Sequence, residues 1–457
     1  MIKKNLLVFF LIASVFTTVA QETSKCEENF AAFETNVKAA KYDDAMPQLD
    51  ELVKKCPKIN EELYNLGNQL LNYKIEASQT KEGRQLYIDK AMELYIQHEK
   101  SFPASKNSNN IKRALLKSDY KLADDNEVFG LLNSAFETKR HDFTDYRALE
   151  LYYNLYLKRF EEGKKGLTEK AFIKRYGELS SQVVYNKNKI SERKAALLTK
   201  KETLPLTIEE QEFLNSAQNN LNIFTALGEN MDALSSKYIS CEKLDAFYTA
   251  DYDKNQKDAE WLEAMVSAMF NNKCYESAVL EKGAVALFEI KPSADVASQL
   301  GNLYLKKNNR DQAVIYLEKA AQMVGSPQEK ADIYFKIAGI YRNFDKGRTK
   351  EYLLKSIKED DKSARPYITL AELYSSVTNE CNVTPFEQKA ILWLSIDTLN
   401  RAALAQPKYK PTVDSMIGSY EKRLPTKEEA KAAGKRKGDE IRYGCWINET
   451  VTIPNMK

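Results

Sequence analysis

Along 294–327, small and bulky apolar side chains recur in two blocks at helical spacing, Leu300, Gly301 and Tyr304 in the first and Ala313, Leu317 and Ala320 in the second. Residues three or four apart share one face of a helix, so each block predicts an amphipathic helix. The small side chains of Gly301 and Ala313 predict that the two helices approach closely as an antiparallel hairpin, while Leu317 and Tyr304 fill the groove against the next one. The first-helix pattern returns at Tyr334, Ile337, Ala338 and Tyr341, and again at Tyr367, Leu370, Ala371 and Tyr374. Steps of 37 and 33 residues separate Gly301, Ala338 and Ala371. One such hairpin cannot bury its apolar face alone, but a stack can.

This spacing resembles the tetratricopeptide repeat, in which a 34-residue unit carries small residues at positions 8 and 20 and large ones at 4, 7, 11 and 24. Further units are expected from Trp393 and Leu399 through Ala402 to Pro407, with Val413, Met416, Ile417 and Tyr420 opening one more helix. Near the amino terminus, Ala45 to Pro57 and Ala91 to Pro103 each span twelve residues, as positions 20 and 32 require, and Leu66 and Gly67 lie between them. The step from Gly67 to Ala91 is twelve residues longer than standard, which predicts a lengthened hairpin. A less regular unit opens at Trp261 and Leu262 and closes at Pro292. Between the arrays, 168–202 and 207–240 are charged, with apolar residues recurring at three and four, and Thr207 followed by Glu209 and Glu210 marks a helix start. A long antiparallel hairpin follows, either a protruding arm or two longer solenoid helices.

The expected fold is all-α, a tetratricopeptide-type α-solenoid of antiparallel helix hairpins with a long central hairpin and a short C-terminal extended segment. The organisation it implies is a signal peptide at 1–20, repeats at 21–110, and an irregular helical region at 111–250 that includes the long hairpin at 168–240. A second array follows at 251–424, then a basic tail at 425–457. Lys422 to Arg442 holds eight basic and four acidic residues, and the β-branched alternation from Tyr443 to Ile453 predicts a short strand. The tail is expected to pack back on the last helices, with attraction of its positive charge to lipid or a polyanion as the sharper reading.

At the amino terminus, Lys3 and Lys4 precede an apolar run that ends in Thr18 and Ala20, the arrangement of a secretory signal peptide cleaved before Gln21. No other stretch is apolar and long enough to span a bilayer. No cysteine follows the cut, so the lipoprotein signal is missing. The remaining 437 residues would carry a formal +1. In the whole chain 68 basic residues face 65 acidic ones, which supplies no broad field for nucleic acid. Glycine (16) and proline (12) are too scarce for a turn-dense β fold or a glycine-looped nucleotide enzyme. The chain also resembles secreted tetratricopeptide proteins of Gram-negative bacteria at Leu204, Pro205, Leu206 and Thr207, at Leu373 to Ser376 with Cys381, and at Trp446 to Thr450. That resemblance implies scaffold or assembly roles in the periplasm or at the outer membrane.

Six cysteines in an exported chain are expected to pair. Repeat phase places Cys26 and Cys56 at the same end of one hairpin, and Cys241 and Cys274 likewise flank two antiparallel helices. Cys381 and Cys445 would pair by elimination. The only histidines, His98 and His141, read as a packed helix residue and a loop residue. There is no GxxxxGK[ST], GxSxG, HExxH or CxxC, so neither catalysis, a cofactor nor a metal is expected.

Inward-facing positions give Ser298, Asn302, Phe335, Arg342, Arg365 and Ile368 as candidate contacts on the concave face. Position 9 carries Asn302 in one unit but Gly339 in the next, and Ser298 stands where a lysine would be wanted, so the pattern departs from the clamp with which some tetratricopeptide modules grip a carboxyl-terminal peptide. The expected function is a non-enzymatic periplasmic scaffold or adaptor for protein partners in cell-envelope or secretion assembly. The alternative is a carbohydrate- or peptidoglycan-binding solenoid with exposed tyrosine and tryptophan stacked on sugar rings.

Overall fold

A computed structural model describes residues 24–164, 166–378 and 381–456. The expected signal peptide lies outside the described residues. The chain divides into two compact units, Met1–Thr168 and Glu169–Lys457.

The first unit contains α1 (24–38), α2 (Tyr42–Lys55), α3 (Glu62–Ala77), α4 (Lys81–Ser101), α5 (Lys106–Asp119), α6 (Asp125–Lys139) and α7 (Tyr146–Glu161). Phe33 and Val37 on α1 pack with Ala45, Leu49 and Leu52 on α2, and a disulfide joins Cys26 to Cys56 at the end of this hairpin. The extra residues between Gly67 and Ala91 extend α3 to 16 residues and α4 to 21. Gly67 is held against Leu49 and Leu94, where a Cβ would stand 2.8 and 3.1 Å from their methyl carbons. His98 is buried, stacked on Tyr64 at 4.5 Å, with its ring nitrogens 3.1 Å from Glu61 and 3.3 Å from Asn109.

The second unit opens with α8 (Glu169–Thr203) and α9 (Ile208–Ser235), the long antiparallel hairpin. Thr207 starts α9 through a reciprocal cap: its hydroxyl accepts from the Glu210 backbone N–H, and the Glu210 carboxylate accepts from that of Thr207. Helices α10 (Cys241–Asn255), α11 (Ala259–Asn271) and α12 (Ala278–Ile290) follow. The Cys241–Cys274 disulfide closes the α10–α11 hairpin, and the first half of α8 packs along α11.

The regular array comprises α13 (Ala294–Lys306), α14 (Arg310–Met323), α15 (Pro327–Tyr341), α16 (Lys346–Glu359), α17 (Ala364–Ser375), α18 (Pro385–Ala405) and α19 (Lys410–Glu421). The hydroxyls or carboxylates of Ser293, Ser326 and Asp345 accept from backbone N–H groups of the first turns of α13, α15 and α16, which fixes where each begins. In the α13–α14 hairpin a Cβ on Gly301 would lie 2.7 Å from Leu317 Cγ and 3.2 Å from the Ala313 carbonyl oxygen. This is the close helix approach of a tetratricopeptide unit. Leu300, Gly301, Tyr304, Ala313, Ala320, Ala338, Tyr341, Ala371 and Tyr374 are all buried.

After α20 (Lys427–Ala432), strands β1 (Glu440–Tyr443) and β2 (Glu449–Thr452) pair antiparallel, with Ile441 opposite Val451. The sequence suggested one strand, but Cys445 and Asn448 adopt left-handed φ of 59° and 41° and fold the segment back into a hairpin. Ile441, Tyr443, Ile447, Val451 and Ile453 enter the core cluster of the last repeats. Lys350, nearly buried on α16, donates to the Ile447 carbonyl oxygen at 2.5 Å and to Glu449 Oε1 at 2.6 Å, and the Tyr443 hydroxyl donates to the Glu387 carbonyl at 2.7 Å. The tail is thus packed on α16 and α18. The expected Cys381–Cys445 bridge is not formed: the β1–β2 turn leaves the Cys445 thiol exposed and outside any disulfide.

Candidate functional site

Both helices of each hairpin keep exposed positions, and the polar and aromatic candidates lie on one side of the first helices α13, α15 and α17. Side chains on this side are tied from one first helix to the next. Lys336 on α15 donates to the Asn302 Oδ1 of α13, and loss of water around its amine pulls the Lys336 pKa down. The Arg365 guanidinium of α17 lies 4.6 Å from the centre of the Phe335 ring of α15. Arg342, just past α15, pairs with Glu372 of α17 at 2.8 Å. Four of the candidates, Asn302, Phe335, Arg342 and Arg365, are therefore tied into this ladder. Ile368 is half-buried and packs toward the cluster of Ala371, Leu392 and Leu399.

Ser298 lines a cleft of about 690 Å³ where residues 188–196 of α8 face the starts of α13 and α15. Nothing in the repeat pattern placed α8 there, because the two walls are about a hundred residues apart in sequence. A second cleft, about 710 Å³, opens where α15 and α17 end, with Arg342, Phe344, Glu372 and Trp446 around it. Trp446 stacks nearly parallel to Tyr374 at 6.3 Å, and Lys346 sits 5.5 Å from its ring centre. Burial and the nearby Glu449 carboxylate, which accepts from the Tyr374 hydroxyl, push the Tyr374 pKa up.

The first unit has its own groove of about 300 Å³ between α3 and α5. The Tyr95 hydroxyl donates to Asn68 Oδ1 at 2.6 Å within it, and Arg147 pairs with Asp119 at 2.5 Å. Lys112 also lines it, and burial lowers the pKa of its amine. Its sequence signal was the polar pair Asn68 and Asn72 following Gly67, which helical spacing alone does not distinguish from a solvated face.

Among the described residues no group of three or more histidine, cysteine, aspartate or glutamate side chains is placed to hold a metal ion. No helix there is long and apolar enough to cross a membrane. His141 sits in the short 3-10 turn Arg140–Asp142.

No protein-family model matches the chain, and no curated protein matches it. Among solved structures the chain is similar to Naa15/Naa10 bound to HypK-THB, at 16% identity over 90% of this chain and 67% of that one, with a TM-score of 0.23. It is also similar to the APC/C hetero-tetramer Cut9-Hcn1, at 12% identity over 86% of this chain and 74% of that one, with a TM-score of 0.26. At such scores neither similarity carries weight for function, and the fold assignment rests on the hairpin packing described above.

Proposed function

We propose that this protein is a non-enzymatic interaction scaffold, exported to the periplasm, whose first-helix face docks partner proteins in cell-envelope or secretion assembly. The observation that carries the reading is the ladder Asn302–Lys336, Phe335–Arg365 and Arg342–Glu372, which holds outward-facing polar and aromatic side chains on a stacked frame. A surface whose side chains are already ordered loses less conformational entropy when a partner docks. Two disulfides that close hairpins add to that order and suit an oxidising compartment.

The carbohydrate reading draws less support, because many rings pack on one another. Tyr304 stacks on Tyr316 at 5.5 Å, Tyr341 on Tyr352 at 5.9 Å, and Trp446 lies between Tyr374 and Lys346. Phe344 is 63% exposed, and the Arg310 guanidinium already covers it at 3.7 Å.

The test is chemical crosslinking in intact cells, followed by purification of the tagged full-length protein from the envelope. The reading expects specific protein partners that are lost when Arg365→Glu and Arg342→Glu alter the face. Recovery of no protein above background across several growth conditions, or retention of the chain on isolated cell wall instead, would overturn it.

A further inference from the structure

The cleft between α8 and the starts of α13 and α15 combines apolar and acidic side chains on both walls. Its apolar surface comes from Ala195 and Ala196 on α8 and from Met323, Val324 and Ile333 opposite, with Met323 41% exposed. Its charged groups are all acidic: Glu192 from α8, Asp295 from α13, and Glu329 and Asp332 from α15. Glu192 is paired with Lys189 on its own helix at 2.8 Å. Asp295 accepts a hydrogen bond from the Asn188 side chain, and among the described residues Asp295, Glu329 and Asp332 form no ion pair.

Such a groove binds a chain segment that brings apolar side chains for its walls and positive charge for its carboxylates. We infer that the cleft is the docking site for a partner polypeptide segment in which lysine or arginine residues are interspersed with apolar ones. The inference rests on the docking reading above and names the chemistry of the partner.

The electrostatics of the cleft agree with it. Loss of water to the cleft walls pushes the Asp295 carboxyl pKa up, Glu192 pushes it further, and Lys187 and the Asn188 hydrogen bond oppose. Loss of water likewise raises the Glu329 pKa, with Asp295 and Asp332 adding to the effect and Lys194 opposing. Crowded carboxylates repel one another, and a cationic side chain between them removes that repulsion and gains attraction from several at once. Lys187 and Lys194 of α8 lie outside the lining and offset only part of this acidic character.

The probe is a short synthetic peptide of lysine, alanine and leucine, with an analogue that carries glutamine in place of every lysine, each titrated by calorimetry into the full-length protein at low salt. The lysine peptide is expected to bind, and the Asp295→Asn/Glu329→Gln variant to weaken it about tenfold. A matched neutralisation elsewhere, Asp311→Asn/Glu421→Gln, is expected to leave affinity unchanged. Because the cleft substitutions remove repulsion, the variant keeps its thermal stability, which the same samples report. Equal binding of the glutamine analogue, or undiminished binding by the cleft variant, would overturn the cationic-segment inference and leave the docking reading standing. Binding of neither peptide would overturn it as well, and the envelope crosslinking decides the broader reading independently.

Discussion

Gly301 and Gly339 are interior residues of neighbouring first helices, yet they meet different surroundings. A Cβ on Gly301 would lie 2.7 Å from Leu317 Cγ and 3.2 Å from the backbone oxygen of Ala313. Leu317 is 1% exposed, held inside the core cluster of the array. A Cβ on Gly339 meets nothing within 4 Å. Replacing either glycine with alanine gains about 1 kcal/mol of helix propensity. At Gly301 the added methyl also overpacks the hairpin, at a cost of about 1–3 kcal/mol. Gly339→Ala is therefore expected to stabilise by about 1 kcal/mol, and Gly301→Ala to range from neutral to about 2 kcal/mol destabilising. Propensity cancels between the variants, so their difference isolates the packing cost. Urea unfolding followed by circular dichroism measures it with the disulfides intact, and amide exchange localises the loss to α13 and α14, since neighbours share stability in a repeat array. Equal stabilisation by both variants would refute the close helix approach.

Reducing Cys26–Cys56, whose partners are 30 residues apart, is expected to remove roughly 3–4 kcal/mol from the first unit by the chain-entropy model, measured as a lower urea midpoint in dithiothreitol. Glu449→Ala leaves the Lys350 ammonium, 9% exposed, without its carboxylate; as Glu449 is itself 34% exposed, the cost is about 2 kcal/mol rather than the 3–5 of a fully buried pair, with faster proteolysis of the tail as the readout. The Asp295 pKa is raised in the fold, so its ionisation opposes folding at neutral pH, and that penalty fades as pH falls through the folded-state value toward the usual carboxylate range. Asp295→Asn is accordingly expected to stabilise at pH 7 and to lose that advantage below about pH 4; an advantage that grew in acid would contradict the assignment.

The hairpins were legible because their geometry is written locally: Gly301, Ala313 and Leu317 lie within one unit, and their sizes dictate how closely two adjacent helices approach. The Cys26–Cys56 and Cys241–Cys274 bridges were legible for the same reason, since each closes a hairpin whose ends antiparallel packing brings together. Elimination failed for Cys381 and Cys445, whose separation depends on where a β-turn with left-handed Cys445 and Asn448 carries the thiol. The acidic cleft was not legible either. Glu192 on a charged helix reads as an ordinary solvated partner of lysine, and only the tertiary fold places α8 opposite Asp295 and Glu329. Likewise, the spacing of Asn302 and Phe335 could nominate an outward face, but the bonds to Lys336 and Arg365 depend on how consecutive first helices line up.

The docking reading is tested most directly by a photo-crosslinking amino acid placed at single positions of the full-length protein in living cells. Sites at Ser298 and Arg365 on the first-helix face are compared with Ile315 and Leu354 on the second helices, both 42% exposed. A discrete adduct with the same protein partner at Ser298 and Arg365, absent from Ile315 and Leu354, is the predicted result. Adducts confined to the second-helix positions, or none at any of the four, would contradict it.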